Sequence, residues 1–173
     1  KFNVRATFGD KYGFNPIPSF EEYVSWVKDQ NVTTNIELKT GKYYYENLEE
    51  EVVDMIKAYG LEGKVMFSSF NHLSLIRCKE LVPNIECGVL VLKSGIGNPG
   101  YYVSKYNFEC YHPDMEGLTE EIVDNCKAHG VKLNVWTVNG EADLRKLYDW
   151  GCDGIITNYP GFCKAWLKSQ ESK

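Results

Sequence analysis

Apolar positions along this chain recur with two alternating periods. Phe20, Tyr23, Val24 and Val27 fall at i, i+3, i+4 and i+7 behind Ser19 and Glu22, whose spacing is that of a capping box, so a helix is expected to start there. Leu48, Val52, Ile56 and Tyr59 make the inner stripe of a second helix. Leu118, before Thr119, is placed to pack on Val123 as a hydrophobic staple and opens a third. Leu144, Leu147 and Tyr148 line one more, and Phe162, Ala165 and Trp166 the last. Between these stripes lie short β-branched and aromatic runs, read as six strands near residues 33–39, 64–70, 87–92, 108–112, 132–138 and 154–158.

Three segments share one grammar. A helix ends in glycine, a residue or two follow, and an apolar strand then finishes in polar residues. Gly60 leads to Val65–Asn71, Gly130 to Leu133–Asn139, and Gly151 to Gly154–Tyr159. Glycine just past a helix adopts the left-handed cap that other residues reach only at a cost. Strands alternating with helices indicate βα units and a parallel sheet. The strand starts are roughly 20 to 31 residues apart, which suits a (β/α) barrel. An eight-stranded barrel needs about 250 residues, whereas this chain has 173 and begins with Lys1. From spacing alone, two readings stand: a barrel short of an N-terminal piece, or an open, doubly wound sheet.

Composition narrows the function classes. With 43% hydrophobic residues, 25% charged residues and a formal net charge of −5, the chain reads as one globular domain without a basic field for nucleic acid. No apolar run reaches the roughly 18 residues of a membrane span, and no secretory signal is visible. The six cysteines, Cys78, Cys87, Cys110, Cys126, Cys152 and Cys163, are scattered over helices and strands with no CxxC pair. Three disulfides are arithmetically open, but a chain this size builds a core without them. Free thiols in a reducing compartment, the cytoplasm, are the expectation. The sequon Asn31-Val32-Thr33 means little without a secretory context.

The chemistry concentrates in Thr34-Asn35-Ile36-Glu37-Leu38-Lys39-Thr40. Strand side chains alternate faces, so Asn35, Glu37 and Lys39 share one side and Ile36 and Leu38 the other. A carboxylate and an ammonium on one strand face are either a mutual ion pair, an edge strand's solvated face, or a site.

Five strand ends complete the pattern: Asn35-Ile36-Glu37-Leu38-Lys39-Thr40, Ser68-Ser69-Phe70-Asn71-His72, Tyr111-His112-Pro113, Asn134-Val135-Trp136-Thr137-Val138-Asn139, and Asp153-Gly154-Ile155-Ile156-Thr157-Asn158-Tyr159-Pro160. In order and spacing they resemble the strand ends of the glycerophosphodiester phosphodiesterase family, from about residue 14 to the C-terminus. Ile17-Pro18-Ser19-Phe20-Glu21-Glu22 resembles the segment entering the helix before the family's polar strand. The resemblance implies an α/β fold, a TIM (β/α)8-type barrel of which residues 1–173 hold strands three to eight as a single domain. The implied reaction is metal-dependent hydrolysis of a glycerophosphodiester to glycerol 3-phosphate and an alcohol. The implied cofactor is a divalent metal, Mg or Ca.

Carried over residue by residue, the resemblance makes Glu37 a metal carboxylate, Lys39 a point charge on the substrate phosphate, and Trp136 a wall beside the glycerol or alcohol moiety. The bland counterparts are an ion pair between Glu37 and Lys39, and plain barrel filling by Trp136. The family's His-Arg-Gly motif, its Glu-x-Asp pair and its second catalytic histidine do not occur in this sequence. The catalytic residues are therefore unknown within it: the acid–base histidines are expected upstream of Lys1, on a missing N-terminal segment of the same barrel, and the chain as written is expected to be inactive alone. His72 reads as a helix-start or loop residue, His112 lies in the general site region, and His129 before Gly130 reads as structural. The competing readings are a noncatalytic barrel or interaction module that has lost the catalytic N-terminus, and an unrelated phosphate-binding barrel. The latter calls for a glycine-rich loop after the seventh strand, where Asn139-Gly140-Glu141 offers one glycine.

Overall fold

A computed structural model describes residues 16–171; residues 14 and 15, where the resemblance begins, lie outside them. In chain order the elements are α1 (Phe20–Val27), β1 (Thr34–Glu37), α2 (Leu48–Ala58), β2 (Val65–Ser69), α3 (His72–Leu81), β3 (Glu86–Val91), α4 (Pro99–Lys105), β4 (Cys110–Pro113), a 3₁₀ turn (Met115–Gly117), α5 (Glu120–Ala128), β5 (Lys132–Val135), α6 (Glu141–Asp149), β6 (Gly154–Ile155) and α7 (Pro160–Glu171). The strands form one parallel sheet in the order β1-β2-β3-β4-β5-β6. Each pairs with its sequence neighbour, Asn35 opposite Met66, Ser68 opposite Gly88, Gly88 opposite Cys110, and Asn134 opposite Gly154.

Local chemistry explains the boundaries. Ser19 Oγ accepts from the Glu22 N–H at 3.1 Å while Glu22 Oε2 accepts from the Ser19 N–H at 2.7 Å, a complete capping box at the start of α1. Thr119 Oγ1 accepts from Ile122 N–H to open α5, and Leu118 and Val123 are both buried. Gly60, Gly130 and Gly151 follow α2, α5 and α6 at φ of 64°, 70° and 66°, the left-handed caps the sequence called for. Two stripes differ from the sequence reading. Helix α6 buries Leu144 and Leu147 but leaves Tyr148 exposed, and α7 buries Cys163 and Trp166, turning Phe162 and Ala165 to solvent. The i, i+3 pair Cys163–Trp166 sets the inner face, and one residue of helical rotation carries Phe162 off it.

One core fills the space between sheet and helices. Phe67, Val89, Tyr111 and Leu133 are fully buried there with Val53, Leu75, Val123 and Leu147. The alternate positions line the other side. Asn134 Nδ2 donates to His112 Nε2 at 3.0 Å, and a Cβ on Gly88 would sit 2.3 Å from that same nitrogen. Neighbouring strands are about 4.8 Å apart, so β1 and β6 of a flat sheet would stand about 24 Å apart. Yet Glu37 at the end of β1, Trp136 after β5 and Ile156 after β6 line one cavity of about 340 Å³. The sheet therefore curls into part of a barrel, and its strictly sequential order excludes the doubly wound alternative, which requires a reversal of strand order.

Candidate functional site

The site is set by how β1 ends. The Leu38 N–H donates to Ser68 O at 2.8 Å, and Ser69 Oγ donates back to Leu38 O at 2.6 Å. Leu38 is thereby locked with its side chain in the core, 3% exposed. Alternation then sends Glu37 and Lys39 to the concave side. Both line the 340 Å³ cavity at the C-terminal ends of the strands, together with Asn35, Ser68, Phe70, Leu90, Trp136, Thr137 and Ile156. Active sites of parallel barrels lie at this end.

The two charges do not neutralise each other tightly. Lys39 Nζ stands 3.9 Å from Glu37 Oε2, with the side chains 79% and 35% exposed. A pair this long and this wet contributes less than about 1 kcal/mol, so it is not the buried ion pair that the bland reading required. Opposite them, the Trp136 indole N–H donates to His112 O at 2.9 Å. The Phe70 ring meets Trp136 edge-on at 5.8 Å and 86°. The cavity thus has a charged wall from β1 and an aromatic wall from β2 and β5. Asn158 stands past β6 at the same end, its N–H donating to Asn139 Oδ1 at 3.0 Å, but it is not among the cavity's lining residues.

None of the three histidines reaches this cavity. His72 opens α3, with Nδ1 hydrogen-bonded to Tyr102 Oη and Nε2 to Leu90 O, both at 3.0 Å. It ties α3 to α4 and β3. His129 follows α5 and bonds Asn125 O through Nδ1 at 2.8 Å, at the other end of the sheet. His112 is 1% exposed inside the barrel, where burial pushes its imidazole down to about 4. With Nε2 accepting from Asn134, the ring's proton sits on Nδ1, which has no protein partner.

The donor set bears on a hard cation. Among the described residues no three His, Cys, Asp or Glu side chains cluster as a metal site. The cavity nonetheless offers oxygen ligands of the right kind: the Glu37 carboxylate, the Asn35 amide and Ser68 Oγ. Ser68 is fully buried and its hydroxyl has no protein partner, a state that costs about 1–3 kcal/mol and calls for a polar ligand or solvent. One carboxylate with two neutral oxygens fits part of a shell completed by water and substrate phosphate, as Mg accepts.

Sequence reasoning named Asn35, Glu37, Lys39 and Trp136. It did not single out Ser68, Phe70, Leu90, Thr137 or Ile156 as lining residues, though parity from Ser68 to Phe70 was available to find the ring.

Comparison with known proteins agrees with this fold. A sequence profile of the glycerophosphoryl diester phosphodiesterase family matches residues 1–162. A glycerophosphodiester phosphodiesterase of Caldanaerobacter subterraneus is 34% identical over 160 residues, covering 92% of this chain and 65% of the relative. One from Bacillus altitudinis is 34% identical over 157 residues, covering 89% of this chain and 64% of that protein. The solved structure of an Oleispira antarctica phosphodiesterase in complex with the product sn-glycerol-3-phosphate superimposes with a TM-score of 0.72 at 25% identity, over 88% of this chain and 62% of that one. The chain spans somewhat less than two thirds of the length of each of these three proteins. With the profile covering residues 1–162 of 173, this chain belongs to the glycerophosphoryl diester phosphodiesterase family.

Proposed function

We propose that the cavity binds the phosphodiester of a small glycerophosphodiester, and that the chain serves its hydrolysis to glycerol 3-phosphate and an alcohol. The observation that carries this reading is the meeting of Glu37, Lys39, Phe70 and Trp136 in one cavity at the strand ends. Lys39 offers a mobile ammonium to a nonbridging oxygen. Trp136 and Phe70 present ring faces and edges to the carbon chain of the glycerol arm. Glu37, aided by Asn35 and Ser68, holds the divalent cation, Mg or Ca. When bound, such a cation neutralises charge on the phosphate oxygens as the ester bond breaks. Binding by several positioned groups orients the ester.

Proton transfer is a separate matter. His72, His112 and His129 are engaged elsewhere in the fold, so this chain supplies binding and charge neutralisation rather than the acid–base pair. Turnover of glycerophosphocholine by the 173-residue chain is expected at background, while glycerol 3-phosphate binds. The same observation favours a second reading, a noncatalytic phosphate-binding module. The six unpaired cysteines suit a reducing compartment, the cytoplasm; no described helix is long and apolar enough to cross a membrane.

Glu37→Gln is the test, read twice. The swap keeps shape and removes the anionic oxygen, so Mg-dependent binding of glycerol 3-phosphate, followed by calorimetry, should fall at least about tenfold. The melting temperature should stay within a few degrees, because an exposed pair contributes little. Unchanged metal-dependent binding would remove Glu37 from the site.

A further inference from the structure

A cavity of about 130 Å³ lies outside the barrel, between β6 and helices α6 and α7. Ile155 lines it, whereas the next residue, Ile156, lines the phosphodiester cavity. Strand alternation thus sets the two cavities on opposite faces of one wall. They share no lining residue.

The lining of this outer cavity is mostly apolar, with an aromatic corner. Leu144 and Leu147 contribute buried side chains from α6. The rings of Tyr148 and Trp166 meet edge-on, their centroids 5.7 Å apart and their planes at 83°. Trp166 is held in that pose by two other contacts. Its indole N–H donates to Glu141 Oε1 at 3.3 Å, and the Arg145 guanidinium lies 5.6 Å from its ring centroid. Leu167, 40% exposed, adds an apolar side chain from α7. One carboxylate interrupts this surface. Asp153 accepts the Leu133 N–H through Oδ2 at 2.8 Å, while its Oδ1 makes no hydrogen bond among the described residues.

An apolar space of this size is uncommon in a close-packed fold. It suits water poorly, because a held water wants about two to four polar partners and the lining offers few. A single six-membered ring is the right size, since an apolar cavity of about 150 Å³ takes benzene. The corner of Tyr148 and Trp166 offers a guest ring the offset and edge contacts that aromatic pairs favour, which an aliphatic guest cannot use. Asp153 Oδ1 accepts a hydrogen bond from a donor and repels an anion. We propose that this cavity is a binding site for a neutral, single-ring aromatic molecule with one hydrogen-bond donor, of the phenol type. The site stands on this cavity alone and does not depend on the phosphodiester reading.

The experiment uses the whole chain and four probes, phenol, benzene, cyclohexanol and benzoate, each titrated by calorimetry at pH 7, where phenol is neutral. Phenol is expected to saturate one site. It should bind at least about threefold tighter than benzene, which lacks the donor, and than cyclohexanol, which lacks the ring. Benzoate should not saturate. Cys152 lines the same cavity, so saturating phenol should slow its modification by a thiol reagent at least about threefold, read by mass spectrometry. Leu167→Trp brings a ring into the cavity from a partly exposed position and should weaken phenol at least about tenfold without lowering the melting temperature. Asp153→Asn keeps an acceptor for the Leu133 N–H, removes the charge, and should narrow the preference for phenol over benzene. Several outcomes overturn the proposal: no saturation by phenol, failure to discriminate it from benzene, cyclohexanol or benzoate, or saturation that leaves Cys152 unprotected. Phenol affinity unmoved in both variants does the same. Should Leu167→Trp fail to fold, protection of Cys152 in the wild-type chain still decides where phenol sits.

Discussion

His112 shows what a single residue's surroundings do to its chemistry. Its ring lies over Gly88, where any Cβ would stand 2.3 Å from Nε2, and it touches the protein's polar groups only through Asn134. Burial lowers its pKa from 6.5 to about 4, so the folded chain keeps it neutral while the unfolded chain does not. Between about pH 6.5 and 4 the unfolded state binds the extra proton, so stability falls as pH is lowered through that window and rises as pH is raised through it. The full effect is about 3 kcal/mol, from the shift at 1.36 kcal/mol per unit. His112→Gln has no such proton to exclude. The stability difference between the wild type and this variant, measured by urea unfolding, should therefore shrink by about 2–3 kcal/mol from pH 7 to pH 4. A constant difference would mean that the imidazole is solvated in the native state. None of this was legible in the sequence, because a strand buried on both faces carries no alternation to say which way His112 points. Glu37 and Lys39 were legible because β1 alternates, polar against apolar.

At the scale of elements, helices announced themselves through caps and stripes, while strand ends did not. The run 132–138 reads as one strand, but the ladder stops at Val135; beyond it Trp136 bridges Asp114 and the Val138 N–H donates to Ile156 O. The run 154–158 pairs over Gly154–Ile155 alone. Hydrophobicity persists beyond the ladder because Trp136 and Ile156 line the cavity and Val138 enters the core. Helix α4 escaped notice because seven residues are too few for a stripe, and its only signal is Pro99 at the first helical position behind Asn98. Its seating rests on Gly100, whose N–H donates to Asn125 Oδ1 at 2.8 Å. A Cβ there would meet the Asn125 backbone oxygen at 2.4 Å and His129 Nδ1 at 2.7 Å. Gly100→Ala must push α4 from α5, at a cost of about 1–3 kcal/mol. A domain of this size loses about 2–4 °C of melting temperature per kcal/mol. Gly63→Ala, with nothing within 4 Å of its Cβ, is the control and should melt with the wild type. Equal melting of both variants would show that α4 is not packed through Gly100.

The whole molecule was legible in outline because βα grammar and strand spacing fix a parallel sheet before any residue's role is known. Its closure into a curved wall needed coordinates, since the cavity that joins β1 to β6 is a property of the curl rather than of any segment. The same curl decides the fate of the cysteines. Cys78, Cys87, Cys110, Cys126 and Cys163 are buried, Cys152 is half-buried, and none is paired. Burial pushes the thiols of Cys87, Cys110 and Cys126 up to about 12 and that of Cys152 to about 11, and raises Cys78 further still. The thiolate is the reactive species, so at pH 8 the thiols of Cys78, Cys87, Cys110 and Cys126 are both buried and protonated, and that of Cys152 is protonated though half-buried. A disulfide reagent added to the native chain should modify Cys152 slowly and the other five only through opening of the fold. In denaturant, where thiols return to about 8.5, the count should reach all six. Both rates report the same packing, so a destabilised variant such as Gly100→Ala should expose its thiols faster in proportion to its lost stability, provided opening equilibrates ahead of modification. Rapid native modification of all six would mean that the sheet and its helices do not enclose a core, and recovery of none in denaturant would replace free thiols with disulfides.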